Sequence, residues 1–360
     1  MTHTPKSTYT VAVIPGDGIG PEIVQSATTV LQRVAQIEGF TLNLVEYSAG
    51  AATYQTQGDP LPPHTMTGCK QAHAIFKGPT GLPNVRLPDG TEAGVLGGRL
   101  RNGLDLYVNL RPIKLYPNVP TALANRQPGE IDWVMVRENT EGLYASRGNG
   151  IVATTGQAAT DTLMITRLGA ERIIRYAFTE AHRRNGKKRV ACVDKSNVLR
   201  SFAFFRQIFT EIAREHPDIE PDYLYVDAAA QALVLEPDRF DVIVTENLFG
   251  DILSDLGGAT VGGIGVCAGA NIGNRYAYFE PIHGSAPALA GQGVANPLAA
   301  ILAGGLMLDY LGQRQAAAKL ENSVEQAFLK KAIVLKADGS AQQGTEAVTQ
   351  AILTQLAGTS

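Results

Sequence analysis

The sequence predicts an α/β protein. Short β-branched runs alternate with longer helical patterns along most of the chain, the signature of a sheet with helices laid against it. The 360 residues are 44% hydrophobic and 18% charged, enough to bury a large core in one big unit or two to three smaller ones. The glycine-rich turn after the first strand reads Gly16-x-Gly18-x-Gly20. That spacing is not GxGxxG, so no Rossmann site is read from it.

In chain order, "YTVAVI" reads as a strand and "PEIVQSATTVLQRVAQ" as the helix after it, with Pro21 in the first turn. "TLNLVEYS", "AHAIFKG", "LDLYVNLRP" and "IDWVMVREN" read as further strands. "GAERIIRYAFTEAHRR" has helical spacing. "KRVACVDK", "DYLYVD" and "FDVIVTEN" are strands, each followed by a helical pattern, which predicts mostly parallel pairing. "GNGIVATTG" predicts a hairpin or arm, and "ATVGGIGVCAGANIGN" a backbone crossing between two lobes. From Val294 to Ala357 the chain reads as mainly helical.

Lys and Arg number 31 against 34 Asp and Glu, a formal charge of −3. Neither a nucleic-acid partner nor a membrane surface is expected, since either needs a basic field. Cys69, Cys192 and Cys267 have no CxxC spacing, which argues against a disulfide framework or zinc cluster and for a reducing compartment. The polar start "MTHTPKSTYT" and the lack of a long apolar run complete the expectation of a cytoplasmic enzyme.

The stretch "VTENLFGDILSDLGG" carries the chemistry. Asp251 and Asp255 are one helical turn apart on one side, while Leu248, Ile252, Leu253 and Leu256 call for burial. No cation occurs between Arg239 and Arg275. A hard divalent ion, Mg²⁺ or Mn²⁺, suits such a pair, with Asp227 at the end of "DYLYVD" as third ligand. Arg101, Arg111 and Arg137 flank or end strand patterns and are suited to bidentate carboxylate binding. Lys195 follows a buried strand, and crowding by cations would make it a proton acceptor; Tyr144, similarly placed, would donate one. Small residues around His283, Gly284, Ser285 and Ala286 allow close backbone approach to a ligand.

In order along nearly the whole chain, "IPGDGIGPE", "NLRP", "VRENTEGLY", "DKSNVL", "TENLFGDILSDLGG", "GNRYAYFEPIHGSAP" and "ANPLAAI" resemble the isocitrate/isopropylmalate dehydrogenase family of metal-dependent β-decarboxylating dehydrogenases. The resemblance implies a two-lobed α/β fold that is not a Rossmann fold. Residues 1–107 and 262–360 would form a large lobe with the cofactor loops, and 108–261 a small lobe with the dimer interface and arm. It implies Arg101, Arg111 and Arg137 as substrate-carboxylate ligands, Tyr144 and Lys195 as the catalytic pair, and Asp227, Asp251 and Asp255 as metal ligands. Lys195 and Asp227 would reach the other subunit's site in a homodimer. The cofactor, NAD or NADP, would lie on His283, Gly284, Ser285, Ala286, Asn296 and Asn197.

Two departures shape the expected substrate, a dicarboxylate or tricarboxylate. After "HGSAP" this chain has Ala288 and Leu289, neither the acidic residue of NAD users nor the basic pair of NADP users; the lack of a cation in "PALAG" favours NAD. Where isopropylmalate enzymes carry a leucine pair, this chain has Gly97 and Gly98, followed by Arg99. "FKGPT" resembles the isocitrate-type branch, with Lys77 near the substrate, yet Val95 and Gly97 replace that branch's serine and asparagine. The expected C3 substituent is therefore polar or anionic, with Lys77 and Arg99 as candidate ligands. 3-Isopropylmalate, tartrate, D-malate and homoisocitrate remain open, as does the different class of a non-catalytic regulatory subunit.

Overall fold

A computed structural model describes residues 6–88, 90–94 and 96–358. Val95, one of the two positions compared with the isocitrate pocket, lies outside the described residues. The chain opens with β1 (Thr8–Ile14) and α1 (Gly20–Glu38). Pro21 sits in the first turn of α1 and Gly39 ends it with φ of 75°, a left-handed conformation glycine adopts without strain. Ile23, Ala27, Val30, Leu31 and Val34 form its buried stripe at helical spacing. There follow β2 (Thr41–Glu46), α2 (Ala51–Gln57), α3 (Pro63–Gln71), β3 (Ala74–Lys77), α4 (Gly97–Gly103), β4 (Val108–Lys114) and β5 (Asp132–Glu138).

The antiparallel ribbon β6 (Ile151–Val152) and β7 (Ala159–Thr160) is the predicted hairpin, and it is exposed. Then come α5 (Arg167–Arg184), β8 (Arg189–Asp194), α6 (Arg200–Ala213), β9 (Glu220–Tyr225), α7 (Val226–Leu235), β10 (Val242–Thr245) and α8 (Asn247–Ala259). The chain ends with β11 (Ala268–Ile272), β12 (Ala277–Pro281), α9 (Leu298–Tyr310), α10 (Arg314–Leu329) and α11 (Thr345–Ala357).

Among the described residues ten strands form one sheet in the order β2-β1-β3-β12-β11-β4-β5-β10-β8-β9. Parallel pairing dominates both flanks, as the strand–helix alternation predicts. The middle is antiparallel: β12 pairs with β11, β11 with β4, and β4 with β5. The glycine-rich stretch read as a crossing contains the buried central strand β11, and its partner β12 was not expected as a strand. Glycines masked the β signal of "CAGANIG", and burial on both faces decided the outcome. Strands from residues before 107 or after 262 fill one half of the sheet, and those from 108–261 the other.

All three cysteines are buried and free. Among the described residues no helix is long and apolar enough to cross a membrane.

Candidate active site

The two aspartates of α8 face a pair of arginines carried by the sheet. Glu246 caps the helix, accepting from the backbone N–H of Leu248 at 3.0 Å and Phe249 at 2.7 Å. Gly250 and Gly257 let α8 lie close on β5. A Cβ at Gly250 would stand 2.6 Å from Arg137 Cγ, and one at Gly257 would stand 2.6 Å from the Trp133 ring. This close approach sets Asp251 against the guanidinium of Arg137, whose side chain is only 1% exposed.

Arg137 donates from Nε and Nη2 to Asn247 Oδ1, at 2.9 and 2.7 Å, and pairs through Nη1 with Asp251. Arg111, from β4, reaches Asp251 at 3.4 Å, Asp255 at 3.2 Å and Ser254 Oγ at 2.8 Å. The cation missing from the local sequence is thus supplied by distant strands. Of the apolar residues around the aspartates, Leu253 is buried but Ile252 is 59% exposed.

These contacts push the two carboxyls apart. Burial alone would raise Asp251, but Arg137, Arg111 and the Tyr144 hydroxyl outweigh it and hold the acid below its ordinary value. Burial raises Asp255 against the pull of Arg111, and the charge of Asp251 adds to the rise. Burial, together with Arg111 and Arg101, pulls Arg137 down. The site is a dense, mutually dependent cluster of charge.

A second network lies across β11 and β12. Arg101, on α4, donates from Nε to Asn271 Oδ1 and to Tyr278 Oη, both at 3.1 Å, and approaches Glu280 at 3.6 Å. Asn271 also accepts from Asn109 at 2.8 Å and Asn139 at 3.0 Å, and donates to Glu280 at 3.1 Å. Lys77 is buried, pairing with Glu280 at 2.7 Å and donating to the Gly78 carbonyl at 2.8 Å. Burial opposes ionisation of Glu280, but Lys77 and Arg101 overcome it and lower the acid to about 2. Arg99 does not join this network. It pairs with Asp59, has a second bond to the Leu61 carbonyl, and is 50% exposed. Positions two apart on a helix do not share a face, so Arg101 turns inward and Arg99 outward.

Tyr144 lies in a short 3₁₀ turn, Leu143–Ser146, and donates to Asp251 Oδ2 at 2.8 Å. Burial and that bond raise its phenol. Lys195 lies elsewhere, beyond the end of β8. It donates to Asp227 at 2.9 Å, and the Asp227 side chain is 68% exposed. Instead of the expected crowd of cations, its recorded partner is a carboxylate. Asp227 is not at a strand end either; it is the second residue of α7. Among the described residues no three acidic, histidine or cysteine side chains come together to hold a metal. One chain therefore brings together Arg111, Arg137, Tyr144, Asp251 and Asp255, while among the described residues Lys195 and Asp227 pair with each other and bond none of these.

The donor chemistry at α8 fits a hard divalent ion. Mg²⁺ is commonly held by one or two carboxylates, with water and substrate oxygens completing the shell. Asp251 and Asp255 offer two, and the Asp255 side chain is 55% exposed and open to a ligand. The loop after β12 fits a bound dinucleotide. A Cβ at Gly284 would meet nothing within 4 Å, leaving its backbone open, while one at Gly18 would stand 2.0 Å from the Ser285 carbonyl. Gly18 has φ of 59°, so "GDGIG" braces this loop from behind. Asp17 ties the same turn down, accepting from Ala51, Ala52 and Gly81 N–H.

Ser285 donates to the Gly81 carbonyl, and Ala286 is left-handed with φ of 37°. Burial lowers His283, which bonds the Gly284 carbonyl at 3.0 Å. Asn296 spends its side chain on the fold, bonding Gly339 O and the Leu298 N–H. Asn197 is exposed, two residues beyond Lys195.

Sequence reasoning missed Asn247, Ser254, Asn271, Tyr278, Glu280 and Arg147. Alternation along β12 offers a signal for one pair: Tyr278 and Glu280 are two apart and share a face. Asn271 gave none, because its role depends on strands far away in sequence. Arg147 lines a cleft of about 180 Å³ with Lys77, Gly97, Arg101, Arg111, Glu280, His283 and Gly284.

A model of the isocitrate/isopropylmalate dehydrogenase family matches residues 10–352. A Thermobifida fusca (strain YX) protein named 3-isopropylmalate dehydrogenase is 46% identical over 333 residues, covering 90% of this chain and 92% of its own. One of the same name from Aquifex aeolicus (strain VF5) is 40% identical over 97% of both chains. The solved structure of isocitrate dehydrogenase from Methylococcus capsulatus is 40% identical with a TM-score of 0.87, over 97% of this chain and 99% of that one. A β-decarboxylating dehydrogenase from Thermococcus kodakarensis is 37% identical with a TM-score of 0.79, over 97% and 96% of the two chains.

Proposed function

We propose, from the premise that this chain belongs to the isocitrate/isopropylmalate dehydrogenase family, that it oxidatively decarboxylates a 3-substituted malate with a polar or anionic substituent. The arginine–aspartate cluster of α8, β4 and β5 carries this reading. Guanidinia beside paired carboxylates suit a ligand that is at once an anion and a metal chelator. Asp251 and Asp255 would hold Mg²⁺ or Mn²⁺, with Asp227 of a second copy as third ligand; bound there, the ion supplies Lewis-acid polarisation of a 2-hydroxyl. A nicotinamide dinucleotide on His283, Gly284, Ser285 and Ala286 supplies the hydride acceptor. NAD fits better than NADP, because Ala288 and Leu289 offer no cation for a 2′-phosphate.

The chain's own groups divide the remaining work. Arg101, Arg111 and Arg137 orient the carboxylates. Lys195, from the partner copy, accepts the hydroxyl proton as C2 is oxidised. Tyr144, aligned by its bond to Asp251, returns a proton to C3 after CO₂ leaves. The two halves of the sheet are the lobes that close on the substrate. A homodimer is supported by the pairing of Lys195 with Asp227 outside the Asp251 cluster, and by exposed apolar side chains such as Ile151, Val152, Leu168, Leu235 and Ile252. With its three free thiols, the enzyme is suited to the cytoplasm.

A second reading is 3-isopropylmalate as the substrate, favoured by the names of the relatives at 40–46% identity. Gly97 and Gly98 weigh against it, since they offer no apolar side chain to clamp a branched alkyl group. Formation of reduced nicotinamide, followed with Mn²⁺, NAD or NADP and a panel of 3-substituted malates, tests the proposal. Turnover lost in Asp251→Asn supports it. Full activity in that variant, or no turnover on the panel, rejects it.

A further inference from the structure

We propose that Arg147, seated over the glycine pair of α4, binds a carboxylate carried on the C3 substituent of the substrate. This deepens the function proposed above and rests on it. A Cβ at Gly98 would stand 2.4 Å from Arg147 Nη1. Any side chain there would displace the guanidinium, so glycine at this position makes room for a cation. Arg147 lies above the Tyr144 ring, with 5.6 Å from the guanidinium carbon to the ring centroid, and its own N–H bonds the Tyr144 carbonyl at 3.2 Å. Tyr144 is the group that serves C3. An exposed cation three residues further on, resting on the Tyr144 ring, is placed for whatever C3 carries.

Charge distinguishes Arg147 from its neighbours in the cleft. Lys77 and Arg101 are countered by Glu280, and Arg111 by Asp251 and Asp255. Arg147 has no ion pair with any described residue, yet it lines the same cleft. A neutral alkyl substituent would leave that charge unmatched and would find glycine where it needs apolar contact. A carboxylate two or three bonds from C3 matches both features.

The test uses the full-length enzyme with its metal and cofactor. Kinetics would be measured on malate, on malates with a neutral branched or aromatic C3 substituent, and on malates with a carboxymethyl or carboxyethyl group at C3. The wild type is expected to prefer a carboxylate-bearing substrate. Arg147→Gln is expected to reduce kcat/KM for that substrate by about 10- to 100-fold, the worth of a hydrogen bond to a charged group. Its effect on malate itself should stay within about threefold, because malate lacks the substituent. Arg147→Lys should recover part of the loss. Gly98→Leu should depress the same substrates while sparing malate, and thermal melts would check that each variant folds.

Equal losses on every substrate would make Arg147 a support for Tyr144 and overturn the proposal, leaving the dehydrogenase reading standing. So would a wild-type preference for the neutral branched substituent. No turnover of any malate by the wild type would reject the dehydrogenase reading and this proposal with it.

Discussion

Around Asp251 the charged heads of Arg111 and Arg137 find their partners within the chain, in a setting shielded from water. Among the described residues Lys195 has one ion pair, and its acid projects into solvent. The first region is costly to disturb because removing one member weakens the compensation of a buried charge. The second is free to change partners, because an exposed pair is held weakly. The contrast separates residues the fold depends on from residues it can spare for the proposed chemistry. Arg137 is buried in its cluster, whereas Lys195 is held only by an exposed acid.

The sharpest way to break that comparison is Lys195→Met. If Lys195 is the proton acceptor, kcat falls by about 10²–10⁴-fold, while the thermal midpoint stays near that of the wild type. A large drop in melting temperature would show that Lys195 is structural after all. Arg137→Met should do the opposite. It takes from Asp251 its main cation, leaving Arg111 at 3.4 Å and the Tyr144 hydroxyl, and removes both donors to Asn247 Oδ1; the cost in folding stability is expected to approach roughly 3 kcal/mol, read by denaturant unfolding. A loss below about 1 kcal/mol would mean that the cluster is far softer than its burial suggests.

The second network sharpens the same contrast through pH. Glu280 is lowered to about 2 from an ordinary 4.5 by Lys77 and Arg101 acting against burial. Its folded pKa lies below its unfolded one, so its contribution is fully present above 4.5 and is lost as pH falls towards 2. The shift corresponds to roughly 3 kcal/mol as an upper bound. The stability gap between wild type and Glu280→Gln should therefore be wide at neutral pH and narrow progressively through that acidic window. A gap that does not change with pH would remove the electrostatic explanation.

What the sequence made legible follows the same division. The α8 aspartates, Tyr144, the three arginines and most strands could be read because their signals are local: periodicity, a strand end, a motif in order. The partners of those residues could not. The cations facing Asp251 come from residues 111 and 137, and Asn271 and Glu280 join strands that the glycine-rich stretch disguised. Asp227 was placed at a strand end because "DYLYVD" alternates up to it, but helix α7 begins one residue earlier. Arg99 and Arg101 are equal in composition and spacing, and only the packing of α4 turned one inward.

The smallest expected effect on the fold comes from Ile252→Asp, and its smallness is what makes it useful. Ile252 lies between the two aspartates of α8 and is 59% exposed, so within one chain the change should cost no more than about 0.5 kcal/mol. If a second copy covers this face, the same change buries a charge against an apolar surface, and association should fail. Sedimentation should then report twice the chain mass for the wild type and one chain mass for the variant. Under the proposed shared site activity should fall with association, because Lys195 and Asp227 would then meet the Asp251 cluster from another copy. A variant that is monomeric and fully active would show that one chain closes its own site, and the separation of the two regions would need another explanation.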